Sequence, residues 1–226
     1  AFVAFFKPYA KMMDLKTRLV MYYFDTRQQL LDYCKAMNKD VGFGYGVYLP
    51  GDGQCYFRTD LELFGLCGVI YHEGTHQLHD RLLGKMRGSP TWVTEGLASY
   101  FETLQRKEGK LVLGPGGREK VWYLSGAQYI PLAPFLDMPD GAWSTLDQKY
   151  GLPSLNPQYG QAALLPRFFL EAEGGKYRER FIQEILVKSC GTSKDLEKAL
   201  GLPVKDLLPK YVEFANLHFQ NPICAP

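Results

Sequence analysis

Hydrophobic and polar positions in the first sixty residues alternate in the short patterns of strands and helices. Residues 15–24 are rich in β-branched and aromatic side chains, which is typical of a strand. Residues 25–38 begin with two capping residues, Asp-Thr, and continue as an amphipathic helical pattern. Residues 41–50 alternate aromatic residues with glycine, and the Gly-Asp-Gly turn signal after them predicts a β-hairpin that ends at Arg58.

A longer helical pattern begins at Leu61, where apolar residues recur at helical spacing up to about Leu83. Residues 84–90 contain glycine, serine and proline and are predicted to form a loop. Thr91 can then cap a second helix over residues 92–105. The two helices are therefore predicted to be antiparallel neighbours.

The second half of the chain is predicted to be mainly helical. Residues 108–118 are rich in glycine and residues 131–157 in proline, which favours surface loops or short helices. Helical patterns follow at residues 159–171, 176–188 and 204–219, with Ser193 as the cap of a shorter helix that ends at Leu200. This order predicts an α+β fold, in which a small mixed β-sheet carries a helix and a helical C-terminal part closes a cleft.

One domain over residues 1–226 is expected, with a mixed α/β part at 1–106 and a mainly helical part at 107–226. Hydrophobic residues make up 46% of the chain and charged residues 22%, which is typical of compact globular proteins and excludes disordered and fibrous classes. The net charge of +2 arises from interspersed signs, so we expect no nucleic-acid partner. The apolar stretch 1–6 is far shorter than the roughly 20 residues of a membrane span, so none is expected.

The chain has five cysteines, at positions 34, 55, 67, 190 and 224. They show no CxxC pairing, which excludes a thiolate zinc site, and we expect mainly buried free thiols. A bridge between Cys190 and Cys224 is the alternative if the protein is exported.

Because the chain begins at Ala1, we expect a processed or truncated product. The sequence leaves oligomeric state and location open, with a lean towards an extracytoplasmic or secreted protein.

The strongest chemical signal is the HExxH motif at residues 72–76, in the first of the two long helices. His72 and His76 are four residues apart, so they project from one helix face and can bind one metal ion. Glu73 lies one position round the helix, where its carboxylate can take a proton from water at the metal instead of binding the metal. A chance match in an ordinary amphipathic helix is the alternative.

A catalytic zinc ion usually has three protein ligands and a fourth position for water. His79 lies about one helical turn beyond His76, out of reach of an ion held between His72 and His76. Leu82 stands where a metzincin carries its third histidine, so that pattern is absent. Glu95, which eighteen residues separate from His76 and which lies on the second predicted helix, remains as the third ligand.

The two motifs together resemble known zinc peptidases. HExxH followed after eighteen residues by glutamate in a W-x-x-E-G-x-A-x-Y context resembles the gluzincin superfamily, which includes thermolysin-like and aminopeptidase-type enzymes. More narrowly, HEGTHQL followed by PTWVTEGLASYFE resembles the uncharacterised bacterial peptidase-MA-like family DUF1570. The resemblance extends from about Gly42 to the C-terminal helices, with its specific motifs within residues 72–102.

The resemblance implies a zincin-like fold and a Zn2+ cofactor bound by His72, His76 and Glu95. It implies that Glu73 is the catalytic base and that the substrate is a peptide or protein. The predicted activity is therefore zinc-dependent peptide hydrolysis. A zinc hydrolase of a non-peptide amide or ester is one alternative, and a non-catalytic zinc-containing scaffold is the other.

A zinc peptidase also needs a donor for the oxyanion that develops at the attacked carbonyl. Tyr159 is the candidate, because the segment that it opens resembles the family's helix after the metal site. A packing role for Tyr159 and the competing Tyr150 are the alternatives. Glu102 is interpreted either as a residue that orients a ligand histidine or as an exposed carboxylate.

Four residues near Glu95 are interpreted as structural. Gly96 and Ala98 would let the second helix approach the HExxH helix, whereas Trp92 and Tyr100 would fill the core. The hairpin before the metal helix offers an edge strand that could bind an extended substrate, or it simply covers the core. The glycine-x-methionine-glutamate-asparagine motif of aminopeptidases is absent, so aminopeptidase specificity is not predicted.

Overall fold

The structure, a computed structural model, describes residues 1–11, 18–39, 45–60, 63–84, 88–114, 116–117, 130–139, 142–143 and 157–219. These residues form a mixed α and β structure, which confirms the predicted class. A three-stranded sheet in the first half carries a long helix. The largest hydrophobic core lies among the helices that follow.

The three-stranded sheet contains β1 (Val20–Phe24), β2 (Gly46–Leu49) and β3 (Gln54–Arg58), in the order β1-β3-β2. β1 runs parallel to β3, whereas β2 and β3 form an antiparallel hairpin. Gly53 has a φ of +68°, a conformation that glycine adopts without steric cost, and this lets the chain turn into β3. The predicted strand, hairpin and mixed sheet are confirmed, while positions 15–17 and 41–44 lie outside the described residues.

Helix α2 (Arg27–Ala36) packs on β1 and β3 and begins where the sequence predicts. The Thr26 side chain accepts a hydrogen bond from the Gln29 N–H at 3.3 Å. The Gln29 side chain in turn accepts one from the Thr26 N–H at 3.3 Å. This reciprocal capping box gives partners to two backbone donors at the helix start.

Helix α3 (Leu63–Leu78) lies on β2 and β3 and continues into a π-helical turn, His79–Leu83. The Gln77 side chain is fully buried, and its amide donates to the carbonyl oxygens of Val20 and Gly53 at 3.0 Å each. These two bonds join the helix to the sheet. The predicted long helix is confirmed for its described residues.

Helix α4 spans Thr91–Glu102 and differs at both ends from the predicted helix over residues 92–105. Pro90 has an extended backbone, with φ −55° and ψ 141°, so Thr91 is the first helical residue and not the cap. The helix ends at Glu102 because the chain then enters a strand.

A hairpin occupies part of the segment that was predicted to be a loop. β4 (Leu104–Lys107) pairs with β5 (Lys110–Leu113) in a two-stranded antiparallel sheet. Glu108 and Gly109 connect them with φ values of +51° and +78°, which a two-residue hairpin turn requires. The prediction was wrong because β5 is exposed along its whole length and therefore lacks the alternating pattern of a half-buried strand.

The other helices of the described residues are α1 (Phe2–Phe6), α5 (Leu132–Leu136), α6 (Pro157–Glu171), α7 (Arg178–Arg180, continued by a π-helical turn at Phe181–Leu186), α8 (Ser193–Leu200) and α9 (Val204–Phe219), and a 3₁₀ turn at Ala172–Gly174 follows α6. The mainly helical character predicted for the end of the chain is thus confirmed over residues 157–219. Trp92 anchors α4 in this part, since its indole N–H donates to the Gly191 carbonyl at 2.8 Å.

Helix α8 begins at Ser193, but its cap is Thr192. The Thr192 side chain accepts from the Asp195 N–H at 3.2 Å, and the Asp195 carboxylate accepts from the Thr192 N–H at 3.0 Å. Thr192 is followed three residues later by Asp195, whereas Ser193 is followed at that spacing by Leu196. A capping box can therefore form at Thr192 but not at Ser193. The predicted cap was wrong by one residue.

The described cysteines are Cys34, Cys55, Cys67 and Cys190, and all four carry free thiols. This confirms the free thiols predicted at these positions, although Cys67 and Cys190 are only half-buried. Cys224, and with it the alternative bridge, lies outside the described residues. No helix in the described part of the chain is long and apolar enough for a membrane span.

Gly96 faces α6 and not α3, contrary to the prediction. A Cβ atom at this position would lie 2.5 Å from the carbonyl oxygen of Ala162 and 3.1 Å from Cγ of Pro166. The absence of a side chain therefore lets α4 pack closely on α6. The predicted core roles of Trp92 and Tyr100 are confirmed, because both are buried.

Gly96→Ala is expected to destabilise the protein by roughly 1–3 kcal/mol, because the added methyl group must push two packed helices apart. Urea unfolding at neutral pH measures this change in the free energy of unfolding. Gly65→Ala on α3 is the matched control, since a Cβ there meets nothing within 4 Å. The control should gain up to about 1 kcal/mol from helix propensity. Equal midpoints for the two variants would contradict the close packing of α4 on α6.

Candidate metal centre

His72 and His76 lie one turn apart on α3, and each is only 4% exposed. Their ring centroids are 4.9 Å apart, and the ring planes cross at 82°. The spacing follows from the 3.6-residue period of the helix, which places positions four apart on the same face. The structure thus brings the two predicted histidines together.

Glu95 approaches both rings from α4, which packs against α3. Its Oε2 is 3.2 Å from Nε2 of His72, and its Oε1 is 3.5 Å from Nε2 of His76. One ligand atom from each of the three residues lies within 4.8 Å of the other two. The three predicted ligands therefore converge on one point and could hold a metal ion there.

Glu102 lies on the other side of the His72 ring. Its Oε2 is 2.9 Å from Nδ1 of His72, and only 20% of its side chain is exposed. A carboxylate at Nδ1 holds the proton on that nitrogen, which leaves Nε2, the nitrogen that faces Glu95, as the atom that can bind a metal ion. Of the two interpretations of Glu102, the structure supports the one in which it orients a ligand histidine.

The charges around the two imidazoles favour a cation at the centre. Burial lowers the pKa of His72, but the hydrogen bonds to Glu102 and Glu95 outweigh it and raise the pKa above its ordinary value. Burial likewise works to raise the pKa of Glu95, but His76 and His72 hold that pKa well below its usual range. Without a metal ion, a proton on His72 supplies positive charge between Glu95 and Glu102, and a divalent cation can take its place.

Glu73 is half-buried and lies outside the group of three ligand residues. Its Oε2 accepts a hydrogen bond of 2.8 Å from the backbone N–H of Tyr48 in β2. The Cys55 thiol in β3 donates to the backbone carbonyl of Glu73 at 3.4 Å. The predicted base is thus held between α3 and the sheet, and it lies outside the candidate ligand group.

Tyr159 is half-buried near the start of α6. Its ring stands edge-on to the Trp143 ring, with 5.4 Å between the centroids. This contact gives Tyr159 a packing role, and its role as an oxyanion donor stays a prediction. The competing candidate Tyr150 lies outside the described residues.

His79 is buried on the π-helical turn, and it is not a member of the group of ligand residues. Burial lowers the pKa of His79 to about 4, so its imidazole is neutral at neutral pH. Its ring also hydrogen-bonds to the backbone of Leu186. His79 therefore lies outside the candidate ligand group, as its spacing from His76 predicts.

Sequence reasoning missed two residues that contact the carboxylates around the centre: Gly68 and Tyr48. A Cβ at Gly68 would lie 3.4 Å from Cγ of Glu102, so this glycine faces the carboxylate that holds His72. The sequence does indicate this glycine, because Gly68 lies one helical turn before His72. Tyr48 gives no such signal, because its contact with Glu73 joins residues 25 positions apart.

Glu102→Gln is expected to lower zinc affinity by roughly 10- to 100-fold, because a neutral amide holds the Nδ1 proton of His72 less strongly. Competition with a chromophoric chelator measures the affinity. Glu213→Gln, an exposed change on α9, removes the same charge elsewhere and should bind zinc as the native protein does. Equal affinities for the two variants would contradict the assigned contact.

Comparison with known families gives a match over part of the chain. A family model described as "Protein of unknown function (DUF1570)" matches residues 67–121, a segment that contains His72, Glu73, His76 and Glu95. The predicted resemblance to DUF1570 is confirmed over these residues, a narrower range than Gly42 to the C-terminal helices. Neither the curated proteins nor the solved structures give a match.

Proposed function

We propose that this chain is a zinc-dependent hydrolase, and more narrowly a metallopeptidase of the gluzincin type with a zincin-like fold. The observation that carries the proposal is the convergence of two imidazole nitrogens and one carboxylate within 4.8 Å, with Glu73 next to His72 in the sequence. Two histidines and a glutamate form a ligand set of catalytic zinc, which leaves a fourth position for water.

The donor set fits zinc in both chemistry and orientation. Nε2 of His72 and Nε2 of His76 both face the Glu95 carboxylate, at 3.2 and 3.5 Å. Glu102 holds Nδ1 of His72, as carboxylates commonly do for metal-binding histidines. His72, His76 and Glu95 would therefore hold the ion. When bound, zinc lowers the pKa of water and polarises a carbonyl group.

Glu73 supplies the proton transfers in this proposal. Its carboxylate takes a proton from the attacking water and delivers it to the leaving amine. The Tyr48 N–H occupies one lone pair of Oε2 of Glu73, which favours Oε1 as the oxygen that takes the proton. Tyr159 is proposed as the donor to the developing oxyanion, in addition to its packing against Trp143.

The position of β2 favours a peptide substrate. β2 is an edge strand of the three-stranded sheet, and Tyr48 in it touches Glu73. An extended peptide can pair with such an edge through main-chain hydrogen bonds, here to groups other than the Tyr48 N–H, which Glu73 occupies. A scissile bond on a peptide bound there would lie close to the proposed base.

Cleavage of an unbiased peptide mixture tests the proposal. The native protein is expected to cleave peptides, to stop after a chelator removes the metal, and to resume when zinc is restored. Mass spectrometry of the products measures cleavage and its site. Hydrolysis of non-peptide amides or esters, with no cleavage of any peptide, would contradict the peptidase assignment. Zinc binding without any hydrolysis would contradict the enzyme and favour a scaffold.

A further inference from the structure

Tyr48 makes two hydrogen bonds to the segment that carries the metal motif. Its backbone N–H donates to Oε2 of Glu73 at 2.8 Å. Its phenol O–H donates to Oδ2 of Asp80 at 2.6 Å. The residue is 5% exposed, so both bonds lie in a mostly dry environment, where hydrogen bonds are strong. Tyr48 in β2 therefore contacts both Glu73, the proposed base, and Asp80, which lies two helical turns further along the chain.

The strand register explains why the Tyr48 N–H is available to Glu73. The Arg58 N–H donates to the Tyr45 carbonyl at 3.2 Å, which makes this pair a hydrogen-bonded one. Because such pairs alternate along an antiparallel ladder, Tyr48 and Cys55 form a non-hydrogen-bonded pair. The N–H of Tyr48 thus points away from β3, towards the free edge where Glu73 accepts it.

The position of the Tyr48 N–H depends on the position of strand β2. The described strand β2 has four residues and pairs only with β3, so its distance from α3 depends on contacts between the strand and the helix. The Tyr48 phenol supplies such a contact at Asp80. Burial and the bond to Asp80 raise the pKa of the Tyr48 phenol, so the phenol stays a hydrogen-bond donor at neutral pH.

We propose that Tyr48 is a positioning residue for the base: its bond to Asp80 fixes β2 against α3, so that its own N–H holds Oε2 of Glu73. The oxygen Oε1 is thereby kept in one orientation for proton transfer. The positioning of Glu73 by Tyr48 involves only contacts within the chain. Its catalytic consequence rests on the proposed function.

The positional part is tested by the amide resonance of Tyr48 in protein labelled with ¹⁵N-tyrosine. Glu73→Gln, which replaces the charged acceptor, is expected to move the amide proton upfield. Asp80→Ala should move it in the same direction, because β2 is no longer held at its distance from Glu73. Tyr23→Phe is the control, since it removes an exposed phenol from β1 and should leave the signal in place. An unmoved Tyr48 amide in Asp80→Ala would overturn the inference.

The catalytic consequence is tested with the peptide that the native protein cleaves fastest. Tyr48→Phe is expected to lower kcat roughly 10- to 100-fold, because a misplaced base acts poorly in the transition state. KM and zinc content should stay unchanged, and Asp80→Asn, which keeps an acceptor for the phenol, should retain most of the native kcat.

A purely structural role for Tyr48 predicts a different result. Tyr48→Phe would then have a lower melting temperature but the native kcat at temperatures well below it, and that outcome would overturn the proposal. If the native protein cleaves no peptide, the proposed function fails, while the Tyr48 amide signal still decides the positional role. The two failures are therefore distinguishable.

Discussion

The Glu73→Gln variant is expected to bind zinc as the native protein does and to hydrolyse peptides roughly 10²- to 10⁴-fold more slowly. Glutamine has the shape of glutamate, and its amide oxygen can still accept the Tyr48 N–H. It cannot take a proton from water, so the chemical step loses its base. Glu73 lies outside the group of ligand residues, and zinc content should therefore be preserved.

Zinc content by elemental analysis and kcat on one cleaved peptide, measured on the same preparation, separate these two effects. Glu213→Gln is the matched control, because it removes a carboxylate from the exposed side of α9. That control should retain full turnover. A zinc-loaded Glu73→Gln protein with native turnover would refute the role of Glu73 as base.

The His72→Ala variant is expected to lose zinc at concentrations where the native protein is saturated. The change removes one of the three proposed protein ligands, so the loss of affinity should exceed the roughly 10- to 100-fold expected for Glu102→Gln. Glu95 and Glu102 would also be left without the imidazole that lies between them. Hydrolysis should disappear together with the metal.

His79→Gln is the matched control for this experiment. His79 is also a buried histidine next to the metal motif, but it is not a member of the group of ligand residues. The control should retain zinc, and circular dichroism shows whether each variant is folded. Full zinc occupancy in a folded His72→Ala protein would contradict the assignment of His72 as a ligand.

The features that could be predicted from the sequence are those set by local periodicity. His72 and His76 share a helix face because of the helical period, and no distant residue has to be known for that. The short connection between α3 and α4 then brings Glu95 back towards them. The capping of α2 could be predicted for the same reason, since Thr26 and Gln29 are three residues apart.

The features that sequence reasoning missed depend on packing between distant segments. Gly96 indicates a close approach, but a glycine does not show which neighbour approaches, and here it is α6. The Tyr48 bonds to Glu73 and Asp80 require the register of β2 and its placement on α3. The β4–β5 hairpin escaped prediction because its second strand has no buried face.

The central claim is that His72, His76 and Glu95 bind one zinc ion. A crystal structure of the zinc-loaded protein, with anomalous diffraction recorded at the zinc absorption edge, tests this most directly. We predict an anomalous peak about 2.0–2.2 Å from Nε2 of both histidines and from a carboxylate oxygen of Glu95. A peak elsewhere in the molecule, or a Glu95 side chain turned away from the two imidazoles, would contradict the account.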